Sequence, residues 1–154
     1  MIRARDIMTQ QVITVSPQTD ITEAARVLLQ HRINGMPVVD EHGELVGIIC
    51  QSDLVTLQKK IRLPSVFTLL DSFIPVRSTK AIDKEMSKIA ATTVAQAMTP
   101  RPITINPETG LDEIASLMVE KNFHTLPVVE AGKLVGVVGK RDVLATLTPA
   151  RQDE

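Results

Sequence analysis

The chain repeats itself, and the repeat limits what it can fold into more than any other feature. Displaced by 90 residues, Met8-Thr9 falls on Met98-Thr99, Ile13-Thr14 on Ile103-Thr104, Pro17 on Pro107 and Thr19 on Thr109. Glu23, Ala25 and Pro37-Val38-Val39 meet Glu113, Ala115 and Pro127-Val128-Val129 in the same frame. One deletion then changes the offset to 89, and Gly43, Leu45-Val46-Gly47 and Asp53 meet Gly132, Leu134-Val135-Gly136 and Asp142. So many identities in order, with one gap, mark two copies of one unit, at 6–55 and 95–146, separated by an insert at 56–94.

Each copy carries the same local signals. VITV (12–15) and PITI (102–105) are β-branched runs that read as strands. Pro17 and Pro107 interrupt them, and Thr19 and Thr109 are expected to cap a helix. Ile21, Ala24, Ala25, Leu28 and Leu29 then follow helical spacing, as do Leu111, Ile114, Ala115, Met118 and Val119. MPVVD and VGIIC, like LPVVE and VGVVG, read as strands joined by tight turns at Gly43 and Gly132. Second helices are expected to open near Ser52 and Arg141. The implied fold is mixed, α/β (α+β), with two strand–helix–strand–strand–helix units. One unit has too little core to stand alone, so the two are expected to pack as a pseudo-twofold pair with clefts between them.

Composition removes several function classes. The net charge is -1, so no overall basic field draws the chain to nucleic acid. With three Phe, no Trp and no Tyr, it lacks the stacking surfaces of single-strand binders. No run of about 18 apolar residues spans a membrane, and MIRARDIMTQ has no apolar signal segment. Cys50 is the single cysteine, which suits a reducing compartment, and a cytoplasmic location is expected. No HExxH, CxxC, GxSxG or phosphate-cradling glycine loop occurs, so neither a metal site nor catalysis is expected.

The phrases ITVSP, HRINGMPVVDEHGELVGII and a trailing Asp, present twice in outline, resemble the cystathionine β-synthase (CBS) motif. A tandem pair resembles the Bateman module of IMP dehydrogenase and of the gamma subunit of AMP-activated protein kinase. The resemblance implies a non-catalytic sensor whose clefts bind AMP, ADP, ATP or S-adenosylmethionine, with no required cofactor, and whose conformation reports to a regulated enzyme or transporter. It assigns the ribose hydroxyls to Asp53 and Asp142, helped by Ser52 in the first copy. The adenine edge falls to the backbone at Ile13-Thr14 and Ile103-Thr104. The base pocket falls to Ile33, Gly35, Met36 and Pro37, and to Phe123, Thr125, Leu126 and Pro127. Phosphate contacts fall to His31-Arg32 in one copy and Lys140-Arg141 in the other, with His124 nearby. The family's Ser or Thr three residues before the closing Asp is replaced by Cys50 and by Gly139. A structural or protein-interaction module with non-binding clefts is therefore the alternative reading. On that reading Asp53 and Asp142 only favour a helix N-terminus, and His31-Arg32 a helix C-terminus.

In the insert, Lys80 to Ala91 has the spacing of an amphipathic helix. Phe67, Leu69, Leu70, Phe73 and Ile74 would form an apolar patch, from which a homodimer is expected.

Overall fold

The computed structural model describes residues 1–60 and 92–148. The expected insert helix and the apolar residues 67–74 lie outside the described residues. The first copy contains α1 (Ala4–Ile7), α2 (Ile21–His31), β1 (Gly35–Val39), β2 (Leu45–Cys50) and α3 (Gln51–Lys60). The second contains α4 (Val94–Ala97), β3 (Thr99–Pro100), α5 (Leu111–Glu120), β4 (Thr125–Glu130), β5 (Lys133–Gly139) and α6 (Lys140–Ala145). This is the mixed helix-and-strand fold expected, built on small antiparallel sheets.

Both hairpins form where the turn residues placed them. β1 pairs antiparallel with β2, and β4 with β5, each with a register shift at the equivalent step, Val38/Val39 and Val128/Val129. Ala131 (φ 51°) and Gly132 (φ 78°) make a two-residue turn with positive φ at both positions, which suits the twist of a tight hairpin. The first hairpin has one residue more. There the Asp40 carboxylate accepts the N–H groups of His42 and Glu44, both at 2.9 Å, and holds the longer turn. The single deletion between the copies therefore falls in a surface loop, where length changes cost least.

Three local expectations need correction. VITV and PITI do not run along a sheet. Each docks through one residue, Val15 bridging parallel to Val38 and Ile105 to Val128. The Thr19 N–H donates back to the Ser16 carbonyl, and the Thr109 N–H to that of Asn106, so the chain turns before a ladder can extend. Thr19 and Thr109 are not the caps either: the N-cap residues are Asp20 and Gly110. The threonine hydroxyls instead accept the N–H groups of Ser16 (3.3 Å) and Asn106 (3.1 Å) and close these turns. Finally, Leu29 and Val119 are 74% and 81% exposed. Each lies one step of about 100° beyond the buried stripe that contains Leu28 and Met118.

The two hydrophobic cores are assembled crosswise. The first packs Ile21, Ala24, Leu28, Met36, Val38 and Ile49 around Val94, which precedes the second copy's strands. The second packs Ile105, Ile114, Leu126, Val128 and Val138 around Ala4 from the chain's start. Backbone bonds repeat the exchange. The Ala4 N–H donates to the Thr109 carbonyl and the Val94 N–H to that of Thr19, both at 2.8 Å. β3 pairs with β2, and Thr9 bridges to Val137 of β5. Met98 and Met8 lie over Gly47 and Gly136, where a Cβ would come within 2.5 Å and 2.6 Å of the thioether sulfurs. Glycine there admits the crossing segment at van der Waals distance, so both the Met-Thr repeat and the glycine repeat record one contact.

Candidate functional site

The crossing opens two clefts. The first has a volume of about 420 Å³, the second about 280 Å³. In the first, Ile13, Ile33, Gly35 and Pro37 of the first copy face Lys140, Arg141 and Asp142 of the second. His31 and Arg32 line it at the end of α2, and His124 and Thr125 where β4 begins. The second cleft joins Ser52 and Asp53 of the first copy to Ile103, Phe123, His124, Thr125 and Leu126 of the second. His124 and Thr125 thus belong to both. Among the residues expected at a site, Thr14, Met36, Thr104 and Pro127 line neither cleft. Met36 and Pro127 are fully buried, Met36 within the first core, while Thr14 and Thr104 are exposed outside both cavities.

The closing carboxylates are held the same way in both copies. Asp142 Oδ2 accepts the Gly139 N–H at 2.7 Å, and Asp53 Oδ2 the Cys50 N–H at 2.8 Å. Asp142 therefore spends one oxygen on its own helix start and keeps the other for the cleft it lines, whereas Asp53 is also engaged by the Thr99 side chain. Thus the helix role and a ligand role are compatible in one side chain. The surroundings differ, however. Burial pushes the Asp53 carboxyl up, opposed by the Cys50 N–H and by a side-chain bond from Thr99, which reaches it from the other copy.

The basic residues are set by how the elements end. α2 stops at Arg32, whose φ of 53° is left-handed, and the Ile33 N–H donates to the Leu28 carbonyl at 3.1 Å. That reversal closes the helix and leaves His31 and Arg32 at the cleft. At the other wall the Lys140 N–H donates to the His124 carbonyl at 3.0 Å, so α6 begins against the residue preceding β4. The two basic pairs were expected one to each copy. The structure brings both into a single cleft, because the crossing sets the end of α2 opposite the start of α6.

Several lining residues had no role in the sequence reading. Thr9 and Gln11 line the first cleft, and Thr99 and Arg101 line the second. Thr9 and Thr99 were visible as a repeated pair, but their placement in the opposite copy's cleft has no local signal. Cys50 lines the second cleft, and its thiol is pushed up to about 11 by burial and then by the Asp53 charge. About 100-fold less thiolate than an ordinary cysteine follows at neutral pH. Alkylation by iodoacetamide at pH 7.5 (an assay condition of about neutral pH) is expected to be correspondingly slow and to rise steeply with pH. A rate like that of free cysteine would overturn this assignment. Among the described residues no group of three or more His, Cys, Asp or Glu could hold a metal ion, and no helix is long and apolar enough to cross a membrane.

A family model described as CBS domain matches residues 4–60 and 94–148. The chain is similar to the CBS domain-containing proteins CBSX1 and CBSX2, both chloroplastic, of Arabidopsis thaliana. It is 34% identical to CBSX1 over 84% of its length and 32% identical to CBSX2 over 97%, and it spans 56% and 65% of those proteins. Among solved structures, CBSX2 in complex with AMP superposes with a TM-score of 0.71 at 29% identity, covering 95% of this chain and 96% of that one. The CBS domain pair of protein MJ0100, in complex with 5′-methylthioadenosine and S-adenosyl-L-methionine, does so with a TM-score of 0.68 at 28% identity, covering 95% of each. With both repeats matched by the family model and the fold shared along nearly its whole length, the chain belongs to the CBS domain family and carries that domain twice.

Proposed function

We propose that this chain is a regulatory module that binds an adenine nucleotide or a related adenosyl compound in the first cleft and transmits occupancy as a shift between its two copies. One observation carries the reading. The larger cleft sets a base-sized apolar wall, Ile13, Ile33 and Pro37, opposite a carboxylate with a free oxygen, Asp142, and the basic groups of Lys140 and Arg141. A purine, a ribose and a phosphate ask for those three surfaces in turn. The AMP and S-adenosyl-L-methionine complexes of the similar CBS pairs support it. Ligand can shift the two copies only by binding one arrangement more tightly than the other, and a cleft built from both copies meets that requirement. No catalytic step is assigned to the chain. A cytoplasmic location accords with the single thiol. Self-association accords with exposed Leu29, Val55, Val119 and Leu144 on the helices. The regulated enzyme or transporter would read the shift.

Calorimetric titration with AMP tests the proposal. Saturable binding to the first cleft is expected, and no heat up to about 1 mM ligand, a binding free energy weaker than about -4 kcal/mol, would overturn it. A second reading, an interaction module without ligand, draws on the second cleft. It is smaller, and a largely buried thiol stands where a hydroxyl would face the ribose.

A further inference from the structure

We infer that Thr99 gates the second cleft: its hydroxyl, brought across from the other copy, holds the Asp53 carboxylate that a ribose diol would need, so an adenosyl ligand enters only by displacing it. The inference rests on the adenosyl reading above and concerns the cleft to which that reading assigns no ligand. Thr99 and Asp53 line this cleft from opposite copies. Both positions follow from β2. β3 pairs with it so that Thr99 stands opposite Ile48, and β2 ends at Cys50, three residues before Asp53. One strand thus carries the donor on its edge and the acceptor just past its end.

A partly buried carboxylate needs donors, because burial disfavours its charge. Burial pushes the Asp53 carboxyl up, and the Cys50 N–H and the Thr99 side chain both oppose that shift. The Cys50 N–H bond, at 2.8 Å, belongs to the helix start and stays when a ligand arrives. The Thr99 bond is the exchangeable one, since Thr99 is exposed on the two-residue β3 and its hydroxyl can return to water. A vicinal diol donates its O–H groups to such a carboxylate, so it competes with Thr99 for the same acceptor. In the first cleft the counterpart carboxylate, Asp142, keeps an oxygen for the cavity. The gate therefore makes two copies with the same closing Asp unequal toward the same ligand.

Displacing one hydrogen bond to a charged group sets the size of the effect at about tenfold in affinity. Cys50 supplies a reporter specific to this cleft. It is the chain's single cysteine, and it lines the second cleft and not the first. A nucleoside seated there shields it from alkylation, which is run at alkaline pH because burial pushes the thiol up to about 11. Adenosine is the probe, since it carries the diol without a phosphate. 2′-Deoxyadenosine, which lacks one hydroxyl of the diol, is its control.

The test measures how much adenosine half-protects Cys50 of the intact chain from iodoacetamide. T99V, which keeps the β-branched shape and loses the hydroxyl, should need about tenfold less adenosine than the parent. T99S, which keeps the hydroxyl, should match the parent. T99A also removes the hydroxyl and should behave as T99V does, so the gate stays testable if T99V fails to fold. With 2′-deoxyadenosine the gain in T99V and T99A should fall below about threefold. The gate is overturned if neither variant binds adenosine more tightly than the parent. It is overturned equally if 2′-deoxyadenosine gains as much, since the substitution then only widens the cavity. If adenosine protects Cys50 in no variant, the gate falls, and calorimetric binding of AMP to the first cleft leaves the adenosyl reading standing. If AMP does not bind either, both fall.

Discussion

Val94→Asp is expected to unfold the first copy, although Val94 precedes the second copy's strands in the chain. Val94 is fully buried, with Ile21, Leu28, Met36 and Ile49 in one core. A carboxylate there would have no counter-charge, and an uncompensated buried charge costs about 3–5 kcal/mol. That is a large share of the roughly 5–15 kcal/mol by which a domain is stable. The neighbouring residue Ala95 is exposed, so Ala95→Asp should change stability by no more than about 0.5 kcal/mol. Urea denaturation of the three proteins checks this. The crossed-core description fails if Val94→Asp retains the parental midpoint, or if amide exchange shows the loss confined to residues 94–148. Residues of α2, β1 and β2 should lose protection with Val94, since their core is the one it completes.

The second large effect concerns the closing carboxylates. Asp142→Ala should weaken AMP binding by about 10- to 100-fold, the loss expected for hydrogen bonds to a charged group. Asp53→Ala should change it by less than about twofold if the first cleft holds the ligand. The two substitutions remove equivalent helix-start bonds, from Gly139 N–H in one case and Cys50 N–H in the other, and Asp53→Ala also removes the bond from Thr99. Each should therefore cost about 1 kcal/mol of stability, as loss of a helix cap does. The pair thus separates a helix-start role, which both residues share, from a ligand role, which the proposal gives to Asp142. Equal loss of affinity in both variants would assign ligand to both clefts. No loss in either would remove the ribose assignment.

Much of the local structure was legible because it depends on nearest neighbours. Turn glycines marked both hairpins, and short runs of β-branched residues marked β1, β2, β4 and β5. Helical spacing found the buried stripe of α2, though it also admitted Leu29, because adjacent apolar residues do not say which of them faces inward. The strands expected at VITV and PITI shrank to single bridges because turns closed by Thr19 and Thr109 follow at once. Those threonines were read as caps; one residue separates a capping hydroxyl from a turn-closing one, and composition alone does not distinguish them.

The candidate site was only half legible for a related reason. Asp53, Asp142, His31-Arg32 and Lys140-Arg141 could be picked out one by one from their motif positions, but not matched to one another. The repeat, the mixed fold, the two hairpins and the positions of the closing carboxylates were determined by the sequence itself, since periodicity and turn chemistry act over a few residues. Tertiary structure decided that the copies exchange their leading segments, so that Ala4 and Val94 each complete the opposite core. It also decided that both basic pairs enter the same cleft. Which apolar faces meet when the chain doubles back depends on shape and burial summed over both copies, and no short-range pattern records that sum.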